Sequence, residues 1–165
     1  GWFYTGGKHP YGYLGFGELF VFVFFGLVAT VGTTYVLAER ITALAGQLGV
    51  AVGALACALL VTNNLRDIPT DREVGKKTLA VRLGDARTRT LFVALVVGGV
   101  LVGAGAVWER PLAAVIAVVL LVAIEPVRRV RAGAAGRDLI AVLGATARVQ
   151  LVFGVVATLS LAIGA

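Results

Sequence analysis

Asn63, Asp67 and Asp71 stand four residues apart in a chain that is otherwise sparing with acids. On a helix that spacing stacks side chains on one face. Carboxylate and amide oxygens suit a hard divalent cation. Mg²⁺ in particular keeps several waters and takes one or two carboxylates together with substrate phosphates. Two aspartates and an asparagine supply part of such a site, and Arg72 and Lys76 follow closely enough to meet phosphate oxygens as charge-assisted donors. Pro69 falls inside the run, and proline removes a helical hydrogen bond and tends to kink or end a helix. The spacing therefore leaves open whether one helix carries all three oxygen donors. By itself a DxxxD pattern is also what an ordinary charged connection looks like. No Walker loop, no His/Cys zinc set and no Ser-His-Asp arrangement competes with it.

The elements that must position these residues are apolar. The chain has 165 residues, 59% of them hydrophobic and only 15% charged, where an average soluble domain has about 25% charged residues. Five runs are apolar and long enough, some barely, for the roughly 17–25 residues of a spanning helix. They are 16–37, 41–62, 90–107, 111–127 and a stretch within 139–165. Glu39-Arg40 and Glu109-Arg110 punctuate them, and Pro111 suits a first helical turn. Period-two alternation is missing, which argues against a β-barrel. The expected fold is an all-α membrane protein with five transmembrane helices in a single membrane domain, 1–165.

Charge sets the expected direction. Lys8 precedes the first run, seven Lys and Arg lie between the second and third, and four Arg lie between the fourth and fifth. The alternate connections hold only Arg40 and Arg110. Basic residues in short loops mark the cytoplasmic side. The chain is thus expected to start inside and end with its C-terminus outside. The net charge of +6 is mostly this signal. Bases that flank spans, with no interleaved aromatic platform, do not suit nucleic acid. The lone Cys57 excludes an intrachain disulfide and a cysteine metal cluster. Gly98, Gly99, Gly103 and Gly105 offer the third run a small-residue face for close helix approach. Arg148 sits about ten residues into the last stretch, which means either a cavity-facing arginine or a late helix start.

The string over 64–84, NLRDIPTDREVGKKTLAVRLG, closely resembles the second aspartate-rich motif of the UbiA-type intramembrane prenyltransferases. A second match lies upstream, in Tyr4-Thr5-Gly6-Gly7 and in the stretch from Pro10 to Glu18. It is most similar to the branch that acts on 1,4-dihydroxy-2-naphthoate. The resemblance runs through essentially the whole chain. It implies a nine-helix bundle of which these spans are the last five. It also implies a Mg²⁺ cofactor held between two aspartate-rich loops on the diphosphate of a polyprenyl donor. Asp67 and Asp71 are then metal ligands. Asn63 or Asn64 adds an oxygen, a choice the motif leaves open, with Asn63 placed among the metal ligands and Asn64 among the substrate contacts. Lys76 and Arg72 meet the diphosphate. Lys8 and Tyr11 are candidates for diphosphate or aromatic-substrate contact, against the plainer reading of a topology charge and an interfacial aromatic. Glu18, near the start of the first run, is an acid that must be paired or interfacial.

The first aspartate-rich motif of that family has no counterpart here, and the chain contains no Met. It reads as the C-terminal part of such an enzyme, expected to be inactive alone. The expected partners are polyprenyl diphosphate, 1,4-dihydroxy-2-naphthoate and the bilayer of a bacterial plasma membrane. Two other readings compete. One is a family member with a different acceptor. The other is a non-catalytic transport or assembly protein, which would show no Mg²⁺-dependent diphosphate binding.

Overall fold

The computed structural model describes residues 11–163. Lys8 lies outside the described residues, as does the side chain of Tyr11. Five helices are long and apolar enough to cross a membrane. They are α1 (Gly17–Ala38), α2 (Ala43–Glu73), α4 (Asp85–Trp108), α5 (Pro111–Arg131) and α6 (Asp138–Ile163). A short α3 (Leu79–Leu83) lies in the connection after α2. No strand occurs among the described residues.

Local chemistry explains the helix ends. The Thr42 hydroxyl accepts from the Ala45 amide at 3.1 Å and caps α2. Pro111 opens α5, whose first turns over Pro111–Val118 are wound as 3₁₀ helix. Within α1, Phe22–Val28 is π-helical. The helical bounds follow the apolar runs, with α4 beginning five residues earlier and α5 ending four residues later, and with one larger departure. The second run ends near residue 62, yet α2 continues to Glu73. Pro69 neither ends nor interrupts the helix. It lies on an exposed side near the end, where the loss of one amide donor matters least.

α2 is the centre of the bundle and packs on α1, α4 and α6. Its approach to α1 is set by small residues. A methyl group added at Gly26 of α1 would lie 2.5 Å from the Gly53 α-carbon. On α4, Gly99 and Gly103 face protein, the latter against the Phe153 ring of α6, whereas Gly98 meets nothing within 4 Å. The core joins Leu55 and Val61 to Phe92, Val96, Ile116, Val149 and Phe153. One polar tie crosses it: Gln47 Nε2 donates to the Val102 carbonyl at 2.7 Å. By contrast α1 is mostly exposed, with Phe25 at 65% and Leu37 at 80%. A helix apolar all round belongs in lipid or in a large core. α6 already begins at Asp138, so a late helix start does not account for Arg148, whose side chain is exposed.

Candidate active site at the end of the second span

The unbroken run of α2 decides the geometry of the motif. Asn63, Asp67 and Asp71 fall on successive turns of one helix. Their side chains do not stand free. Asn63 Nδ2 approaches Asp67 Oδ2 at 3.4 Å. Arg66 binds both at once. Its Nε donates to Asp67 Oδ1 at 2.7 Å, and its Nη2 donates to Asp67 Oδ2 at 3.0 Å and to Asn63 Oδ1 at 2.7 Å. Arg66 was not singled out from the sequence. Its place one residue before an aspartate and three after an asparagine is the signal that could have found it.

Asp71 is paired differently. After Glu73 the helix closes in a Schellman turn. Lys76 N–H donates to the Asp71 carbonyl at 2.8 Å and Gly75 N–H donates to the Arg72 carbonyl at 3.2 Å. Gly75 takes φ +72°, a left-handed value that favours glycine. The turn sends the chain back along α2, and Lys76 Nζ reaches Asp71 Oδ1 at 3.1 Å. The same ammonium lies 4.9 Å from the centroid of the Tyr13 ring. The Lys76 pKa is raised, first by the hydrogen bond to Asp71, with smaller contributions from the Asp71, Tyr13 and Asp67 charges. Lys76 thus keeps its charge through neutral pH and lies within the field of both aspartates.

The segment leading into α1 is bound to this loop. Lys77 N–H donates to the Tyr13 carbonyl at 3.0 Å. Arg82 Nη2 donates to the Leu14 carbonyl at 2.9 Å and its Nε to the Lys77 carbonyl at 3.1 Å. Gly15, at φ +82°, allows this approach: a β-carbon there would lie 2.9 Å from the Lys77 carbonyl oxygen. The Thr78 hydroxyl caps α3 by accepting from the Val81 amide.

Asn63 and Asn64 part company. Asn64 turns into the α1–α2 interface, where its Nδ2 donates to Glu18 Oε1 at 2.9 Å. Glu18 is 8% exposed, and its Oε2 is buried without a partner. Cys57 Sγ donates to the Glu18 carbonyl at 3.1 Å. Arg72 is exposed to solvent beyond the pairs. Among the described residues no cluster of three or more His, Cys, Asp or Glu side chains is arranged to hold a metal. What α2 presents is an all-oxygen donor row, Asn63, Asp67 and Asp71, each aspartate now holding a cation.

Comparison with known proteins gives this arrangement its context. Residues 1–142 match the model of the UbiA prenyltransferase family. The chain is 50% identical over 164 residues to a 1,4-dihydroxy-2-naphthoate octaprenyltransferase of Mycobacterium tuberculosis, covering 99% of this chain and 56% of that protein. It is 47% identical over 154 residues to the protein of the same name from Mycobacterium leprae, covering 93% and 52%. The Bacillus subtilis protein of that name is 30% identical over 173 residues, covering 99% and 53%. The chain spans about half the length of these curated relatives. No solved structure matches it. The chain belongs to the UbiA prenyltransferase family.

Proposed function

We propose that the full-length protein transfers a polyprenyl group from polyprenyl diphosphate to 1,4-dihydroxy-2-naphthoate with loss of CO₂. The product is demethylmenaquinone in its reduced form. The observation that carries this reading is the row Asn63, Asp67 and Asp71 on one face of α2 with Lys76 folded back onto it. The names of the similar proteins point to the acceptor.

The donor set fits Mg²⁺ in kind, since it is all oxygen, and falls short in number. Asn63, Asp67 and Asp71 would hold the ion together with donors from elsewhere in the full-length protein. When bound, Mg²⁺ supplies positive charge against the leaving diphosphate. The chain's own residues do the rest. Arg66 and Lys76 hold the two aspartates in place and are then available to diphosphate oxygens. Arg72 reaches the diphosphate from the solvent side. Asn64 is better assigned to positioning: tied to Glu18, it fixes the rotation of α2 so that Asn63 and Asp67 face outward together. As the allylic C–O bond breaks, the electron-rich ring attacks the allylic carbon and its carboxylate leaves as CO₂. A membrane setting excludes the water that would trap the cationic carbon. The basic connections support a site on the cytoplasmic side of a bacterial plasma membrane, with the C-terminus outside. Lys8 and Tyr11 remain assigned to substrate contact.

The test uses the full-length protein in membranes with dihydroxynaphthoate, polyprenyl diphosphate and Mg²⁺. Product formation that is lost on chelation and in Asp67→Ala supports the reading. Prenylation of another acceptor alone would keep the family chemistry and discard the acceptor. Full activity in Asp67→Ala would remove the catalytic role of this face.

A further inference from the structure

Away from the aspartates, an open groove of about 630 Å³ runs along one face of α4 and meets α5 only at Arg131, the last residue of that helix. Arg89 and Arg131 stand at one end of it, and Val93, Val97, Gly98 and Leu101 line its length. A second open groove, of about 550 Å³, lies beside the last turns of α5 and shares Arg131 while adding Arg128. The arginines differ in how they are engaged. Arg89 is fixed: it donates to both Asp85 oxygens, at 2.6 and 2.8 Å, and to the Val130 carbonyl at 2.7 Å. It ties α4 to the end of α5 and its charge is already met. Arg129 pairs with Glu125 at 2.8 Å. Arg128 and Arg131 are exposed and form no ion pair among the described residues. Unmet positive charge is therefore concentrated at the junction of the two grooves.

The apolar part has a definite length. From Arg89 to Leu101 the helix rises about 18 Å at 1.5 Å per residue. One leaflet of bilayer hydrocarbon is about 15 Å deep. A slot one leaflet long with unpaired guanidinium groups at its mouth matches an amphiphile with an anionic head. Arginines in the last turn of α5 also complement its dipole and mark topology, but neither role requires a groove beside them. The prenyl donor is the less suitable occupant, because the oxygen row proposed to bind its diphosphate lies on α2, and no acid besides the already paired Asp85 neighbours this groove.

We propose that this groove binds an anionic membrane phospholipid. Its phosphate is held by Arg131 and Arg128, and one acyl chain lies along Val93, Val97, Gly98 and Leu101. Basic pockets between spanning helices are suited to such headgroups. The proposal goes beyond the transfer reaction and does not depend on which acceptor is used.

The experiment is native mass spectrometry of the full-length protein, delipidated in detergent and titrated with phosphatidylglycerol or with phosphatidylcholine of the same chains. Phosphatidylglycerol is expected to bind more tightly, with about a fivefold loss for each arginine removed in Arg128→Gln and Arg131→Gln. A second variant acts on the slot alone. Because a β-carbon at Gly98 meets nothing within 4 Å, Gly98→Leu fills the groove without displacing protein atoms. It is expected to lower phosphatidylglycerol binding at an unchanged unfolding temperature. Equal binding of the two lipids overturns the proposal, as does retained preference in both the double arginine variant and Gly98→Leu. Displacement of the bound phosphatidylglycerol by polyprenyl diphosphate overturns it too, and gives the groove to the donor.

Discussion

The two halves of α2 solve the same problem by different means. Along its first half the helix is buried by closeness: Gly49, Gly53, Ala54 and Ala58 let α1 and α4 approach to backbone contact. Along its second half it is buried by pairing. Asn64 meets Glu18, Asp67 meets Arg66, and Asp71 meets Lys76. Close packing tolerates no added atom. Pairing tolerates change of shape but not the loss of one partner, which leaves the other buried and unsatisfied. The packed half and the buried Asn64–Glu18 pair should therefore respond to substitution in stability, and the partly exposed Asp67–Arg66 pair in activity.

Substitutions can break that contrast. In the full-length protein Asp67→Ala is expected to lower turnover by about 100-fold or more with little change in thermal unfolding in detergent. A large fall in unfolding temperature would show that the pairing is structural. Gly53→Leu is the mirror case. Its side chain would enter space already held by Phe22 and Gly26 of α1. A loss of about 1–3 kcal/mol is expected, read from chemical denaturation, with the residual folded fraction still active. Between the two sits the Glu18–Asn64 pair. Glu18→Ala leaves Asn64 without its acceptor and should cost about 1–3 kcal/mol. Glu18→Gln keeps an acceptor and should recover most of it. Equal behaviour of the two variants would show that the hydrogen bond is not what holds α1 to α2.

Smaller effects sharpen the picture. Lys76→Gln is expected to raise the KM for the prenyl donor about tenfold while leaving the unfolding temperature nearly unchanged. The sign of the pH dependence follows from the raised Lys76 pKa. A lysine pKa raised on folding gives stabilisation that is complete below the ordinary lysine value and is lost as pH rises through the raised one. Donor KM in the unsubstituted protein should therefore stay flat from neutral to mildly alkaline pH with respect to this group. Last, Arg129→Gln removes an exposed i,i+4 pair with Glu125. It should change stability by less than about 0.5 kcal/mol.

Much of this was legible before any coordinates. The five spans, their order and most of their ends were written in apolar run length and in the Glu-Arg punctuation, because a bilayer imposes its thickness on every crossing. The four-residue spacing of Asn63, Asp67 and Asp71 was equally plain, because helical periodicity is local. The sequence could not say that the helix would pass through Pro69 to Glu73. A proline penalty of a few kcal/mol is decided by what else holds the segment. Here Lys77 and Arg82 fasten the returning chain to the carbonyls of Tyr13 and Leu14. Nor could it choose between two adjacent asparagines. One residue turns a helical side chain by about 100°, and which of the two meets Glu18, 46 positions away, depends on how α1 lies across α2. Composition and spacing thus determined the spans and the donor row. The tertiary structure decided that one helix would carry all three donors and which asparagine would turn to Glu18, because those outcomes rest on contacts between segments far apart in the chain.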